Sequence, residues 1–148
     1  MSRYLDVFSE LVRLEIKLWN GLDAHLEATV GVSLATFQAL AAIRSTAGSA
    51  RVQDISVKMS ITVGATSKLV DRLERDGLAV RSANPTDRRS SIVALTQTGA
   101  TTVAAAEAAA ESHLAGMLGD ILPGQEATRL LVQLTALQDY DIITTNRS

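Results

Sequence analysis

The chain contains no cysteine, so disulfides, thiolate metal sites and thiol redox switches are excluded. Aromatic residues make up only 3% of the 148 positions, so the core must be built from Leu, Val, Ile and Ala. No apolar run approaches the roughly 20 residues needed to span a bilayer. The opening Met1-Ser2-Arg3-Tyr4-Leu5-Asp6 also lacks the basic-then-apolar layout of a secretory signal. A cytoplasmic location is the expectation. Nothing resembles a nucleophile elbow, a phosphate loop, a metal-ligand pair or a pair of catalytic carboxylates. No enzyme, cofactor or metal is therefore expected.

What is present is the balance of an ordinary folded protein, 47% hydrophobic and 20% charged, in one domain's length of chain. The net charge of −2 conceals an asymmetry. Between Arg44 and Arg89 there are nine Lys/Arg against five Asp/Glu, while the remainder holds five against eleven. A basic centre between acidic flanks is expected where one face meets phosphates and the rest must not.

Hydrophobic periodicity lays out six helices. Residues 4–28 carry Leu5, Phe8, Leu11, Val12, Leu18, Trp19, Leu22 and Leu26 near the 3.6-residue period, and Gly31 ends the run. Ser33 caps a second helix with Phe37, Leu40, Ala41 and Ile43, which stops near Gly48. A short third helix over Val52–Met59 turns Val52, Ile55, Ser56 and Met59 inward. Thr62 caps the fourth, whose buried stripe is Thr66, Leu69, Val70 and Leu73, and Gly77 closes it in a left-handed C′ position. Two strand-like runs follow, Leu78–Arg81 and Ser91–Leu95, around the polar turn Asn84-Pro85-Thr86-Asp87-Arg88-Arg89-Ser90. Thr96 caps a fifth helix, about 97–121, and Pro123-Gly124 separates it from a sixth, about 125–143. The sixth carries Ala127, Leu130, Leu131, Leu134 and Leu137 on one side. The fold class expected is mainly α: a winged helix-turn-helix with flanking dimerisation helices and a two-stranded β-hairpin wing.

The third helix, the turn Ser60-Ile61-Thr62 and the capped fourth helix make a helix-turn-helix. In such a unit the first helix props the second so that its opening turns enter the major groove of DNA. Those turns need small or polar residues that let the backbone approach and hydrogen-bond bases and phosphates. Thr62, Gly64, Ser67, Lys68 and Arg72 are the candidates. The hairpin with Asp87-Arg88-Arg89 at its tip has the layout of a wing, which reaches an adjacent minor groove with a guanidinium. Arg88 and Arg89 are its candidate DNA contacts, with Arg89 directed at the groove and Asp87 a brace on an arginine.

The run Thr62–Leu78, followed by Arg81, Asn84–Arg89 and Leu95-Thr96-Gln97-Thr98-Gly99, resembles the recognition helix, wing and following helix of the MarR family of bacterial regulators. The motifs cover about residues 52–99, and the order of elements is similar over essentially the whole chain. The resemblance implies one MarR-like domain over 1–148, with a winged lobe at 33–96 and dimerisation helices at 1–30 and 97–148. It also implies a homodimer on a pseudo-palindromic double-stranded operator, acting as a repressor released by a small-molecule inducer. The dimer would bury Leu5, Phe8, Leu130, Leu134 and Leu137. Trp19 and His25 lie on the first helix, where inducer pockets of the family often form. Ser56 stands where the family usually has alanine. Arg51 replaces a common capping Ser or Thr and is a candidate phosphate contact. The alternative is a winged helix that binds protein, which would not need Lys68, Arg72, Arg88 and Arg89 on one side.

Overall fold

The computed structural model describes residues 2–140; residues 141–143, the expected end of the sixth helix, lie outside them. Among the described residues six helices form, α1 (Arg3–Thr29), α2 (Leu34–Arg44), α3 (Val52–Met59), α4 (Val63–Arg75), α5 (Gln97–Leu118) and α6 (Gly124–Asp139). Three strands accompany them: β1 (Ala50–Arg51), β2 (Ala79–Ala83) and β3 (Ser91–Leu95). The fold divides into two compact units, Met1–Glu111 and Ser112–Ser148. Among the described residues no single helix is long and apolar enough to cross a membrane.

Local chemistry sets the helix ends. The Ser33 hydroxyl accepts from the Thr36 amide at 3.0 Å, and the Thr62 hydroxyl from the Ala65 amide at 3.1 Å, each satisfying an amide that the first turn leaves open. At Gly77 (φ 72°) α4 closes with the Leu78 amide donating to the Leu73 carbonyl at 2.8 Å and the Gly77 amide to that of Glu74 at 3.0 Å. α3 closes in the same way on a non-glycine residue, Ser60 at φ 54°, and so makes the tight turn into α4.

The core of the first unit gathers Leu40, Ile43, Ile55, Val70, Leu73, Val93 and Val103, all at or near zero exposure. β3 lies in the middle of the sheet, in the order β1-β3-β2, with both pairings antiparallel. Sequence periodicity leads to a two-stranded hairpin. The structure adds β1, where Ala50 pairs with Val93 and Arg51 with Ile92. Two residues are too few for an alternating pattern to reveal a strand.

α5 begins inside the lobe, whereas the expected boundary put every residue after 96 with the dimerisation helices. Val103 and Ala106 are fully buried, and the Glu107 carboxylate accepts from Nη1 and Nη2 of Arg44 at 2.9 and 2.8 Å. Those hydrogen bonds hold the Glu107 carboxyl below the usual carboxylate range. The start of α5 is keyed to the end of α4. The Thr96 hydroxyl donates to the Gly77 carbonyl at 2.6 Å and accepts from the Gly99 amide at 3.0 Å. A Cβ at Gly99 would stand 1.9 Å from the Leu78 carbonyl oxygen. Gly99→Ala is therefore expected to destabilise the lobe by about 2–3 kcal/mol, because backbone on both sides must move. Urea denaturation would read this as a lower midpoint at unchanged slope.

Only Leu22 and Leu26 of the expected α1 stripe are buried. Leu5, Phe8, Leu11, Val12 and Trp19 remain 39–62% exposed. In α6 no residue is buried: Leu131, Val132 and Leu137 are exposed, and Leu130 and Leu134 are half-buried.

Candidate nucleic-acid interface

α4 turns Thr66, Leu69, Val70 and Leu73 into the core, and this fixes what its other faces present. One outer stripe is Gly64, Lys68 and Arg72, spaced by one helical turn and all exposed. A Cβ at Gly64 would meet nothing within 4 Å, so internal packing does not demand a glycine there. The neighbouring stripe is Val63, Ser67 and Asp71, which borders a cleft of about 520 Å³ between the α3–α4 unit and the hairpin. Arg51 and Arg89 line the same cleft.

One residue couples α4 to the hairpin. Arg81, on β2, has only a quarter of its side chain exposed. Its guanidinium ion-pairs with Asp71 and with Glu74 (3.0 Å), and Nη2 donates to the Ser67 carbonyl and hydroxyl, each at 3.3 Å. Burial works against the charged form of Arg81, yet the two carboxylates outweigh it and hold the pKa above its ordinary value. Ser67 is consequently half-buried and already engaged, unlike Lys68 and Arg72 beside it. Arg81→Met is expected to cost about 1–2 kcal/mol, since two carboxylates lose a cation although both keep access to water. Faster amide hydrogen exchange in β2 than in α2 would show that the hairpin has come loose from α4.

The hairpin tip is held by its own side chains. The Asn84 amide oxygen accepts from the Thr86 amide at 3.0 Å, and its Nδ2 donates to the Ser90 hydroxyl at 2.9 Å. Asp87 Oδ1 accepts from the backbone amide of Arg89 at 2.9 Å. This corrects the expected brace on an arginine side chain: the carboxylate shapes the turn two residues on, as short Asx side chains do. Arg88 and Arg89 are both exposed. Arg51 takes a part the sequence left open. Its guanidinium grips Asp54 through Nε at 3.1 Å and Nη2 at 3.0 Å, while its backbone amide donates to the same carboxylate at 3.0 Å. Asp54 thereby secures the start of α3, and its pKa is lowered by those bonds.

The geometry agrees with known proteins. Residues 30–90 match the family model described as the MarR family. A 50-residue stretch, 34% of this chain, is 44% identical to an uncharacterized HTH-type transcriptional regulator of Bacillus subtilis (strain 168), YfiV, and spans 31% of that relative. The solved structure of the transcriptional repressor CouR bound to a 23-mer DNA duplex superposes with a TM-score of 0.79 at 26% identity, over 87% of this chain and 89% of CouR. Over residues 30–90 the chain is thus similar to the MarR family, and it shares the fold of that family's solved members. A MarR-family regulator from Rhodococcus sp. RHA1 shares the fold across 93% of this chain and 95% of its own, at a TM-score of 0.83 and 20% identity.

Arg81 and Asn84 belong to the motifs that carry the resemblance, but the sequence gives them no role, because their roles depend on partners in other turns and strands. The two candidate pocket residues are not brought together. Trp19, 39% exposed, lines a shallow hollow of about 280 Å³ with Glu15, Ile16 and Asn20; His25 is half-buried and not part of that lining.

Proposed function

We propose that this chain is a MarR-family regulator: a homodimeric, sequence-specific DNA-binding protein acting as a ligand-responsive repressor on a pseudo-palindromic operator. The observation that carries the reading is the outer stripe Gly64, Lys68 and Arg72, exposed on a capped helix beside a hairpin that ends in Arg88 and Arg89. The open space at Gly64 leaves room for a close approach of the helix backbone to a base edge or phosphate. The winged lobe, about residues 33–96 with the start of α5 packed on it, is the DNA-reading part. The helices on either side supply the dimer contacts, with Leu5, Phe8, Leu130, Leu134 and Leu137 as the residues buried between protomers. Similarity to the family supports release by a small-molecule inducer, and Trp19 and His25 stay its candidate contacts.

The test is retardation of the DNA upstream of the chain's own reading frame at two salt concentrations. Binding that weakens steeply with salt and resists random competitor DNA supports the proposal. No retardation at low salt would favour a protein-binding winged helix. Within this scheme Lys68 and Arg72 should behave differently. Lys68→Ala, if the ammonium meets a base edge, is expected to cost about 1–3 kcal/mol and relax preference at one position of each half-site. Arg72→Ala, one turn further from the helix start, should weaken all sequences alike. It should flatten the salt dependence by roughly 0.9 in log–log slope per protomer.

A further inference from the structure

We infer that Val63 reads a thymine methyl group in the major groove, an inference that rests on the DNA-binding reading above. Val63 is the first residue of α4 and is 52% exposed. Along the flank that faces the hairpin it is followed at one-turn intervals by Ser67 and Asp71. Both of those are already engaged by Arg81, which holds the Asp71 carboxylate and both the carbonyl and hydroxyl of Ser67. The one side chain on this flank left without an internal partner is therefore aliphatic, and it stands where the helix enters the groove.

An aliphatic side chain has a single direct partner on the major-groove edges of the bases, the C5-methyl group of thymine. The other edges offer donors and acceptors that a valine would desolvate without replacement. Val63 thus favours thymine at one position of each half-site, and its branched side chain, stiff about χ1, loses little freedom on contact.

The experiment uses the full-length protein and an operator selected from random duplexes. Each thymine of the half-site is replaced in turn by deoxyuridine, which removes only the methyl group, and affinity is measured by fluorescence anisotropy. One thymine per half-site is expected to show a weakening of about fourfold on losing its methyl, the value of one buried methyl-sized group. Val63→Ala should bind thymine and uracil equally at that position. Val63→Thr, which retains one methyl and the shape, should keep part of the difference. A methyl effect that survives in Val63→Ala, or no methyl effect at any thymine in the unaltered protein, would overturn the inference while leaving sequence-specific binding intact. Failure to select any sequence would instead overturn the DNA-binding reading, and this inference with it.

Discussion

Arg89→Ala is expected to weaken operator binding roughly 1,000-fold while leaving the fold unchanged. The side chain is exposed at the hairpin tip, and the groups that shape the tip are the Asn84 amide, the Asp87 carboxylate and backbone, none of which the substitution removes. A charged hydrogen bond in a narrow groove is worth about 2 kcal/mol. A dimer inserts two such arms, so about 4 kcal/mol is lost, or about three powers of ten. Asp87 sharpens the test. Its carboxylate accepts a backbone amide, a task that an asparagine carbonyl oxygen can also perform. Asp87→Asn therefore keeps the turn and removes a negative charge from beside the phosphates, so operator affinity should rise severalfold at low salt. Asp87→Ala loses the turn as well as the charge, and should bind less well than Asp87→Asn. Titrations with operator DNA at one fixed salt concentration order the three variants. Weaker binding by the Asn variant would mean that the carboxylate charge holds an arginine after all.

The second large effect is expected at Phe8. In the isolated chain this side chain is 62% exposed, so Phe8→Asp on a monomer should change stability by no more than about 0.5 kcal/mol. In the proposed homodimer the same position is covered, and two-fold symmetry places the new charge in the interface twice. At about 2 kcal/mol or more for each unpaired carboxylate, dimer dissociation should become easier by roughly 1,000-fold. Sedimentation at micromolar concentration should then show monomer for the variant and dimer for the unaltered protein. The exposed run from Tyr4 through Ile16 is what makes the outcome decisive. Tyr4, Leu5, Val7, Phe8, Leu11, Val12, Leu14 and Ile16 are all at least two-fifths exposed within four turns of one helix, the kind of apolar surface that marks a site of association. A variant that stays dimeric would place the interface elsewhere.

Elements whose signals lie within one or two turns of chain were legible in the residues alone. Ser33, Thr62 and Thr96 each place a hydroxyl three residues before the amide it receives, so three helix starts could be read directly. Gly77 and the stripe Thr66–Leu69–Val70–Leu73 did the same for the end and inner face of α4. α3 over Val52–Met59 could likewise be placed, because helical periodicity and its closing turn are local. With the inner face of α4 known, the exposure of Gly64, Lys68 and Arg72 followed as well.

Features that depend on partners far along the chain came into view only with the fold. Arg81 meets Asp71 ten residues away and Ser67 fourteen away, across a helix end and into a strand. Arg44 meets Glu107 at a separation of 63, which is why the first half of α5 belongs with the lobe. β1 exists because Ala50 and Arg51 find the free edge of β3, not because two residues prefer to extend. Periodicity marked α1 as apolar along its length, but only packing showed that Leu22 and Leu26 enter the core and the preceding turns do not. An apolar stripe records that a face seeks cover. Which surface covers it is set by the geometry of other elements, and sequence spacing carries no information about that.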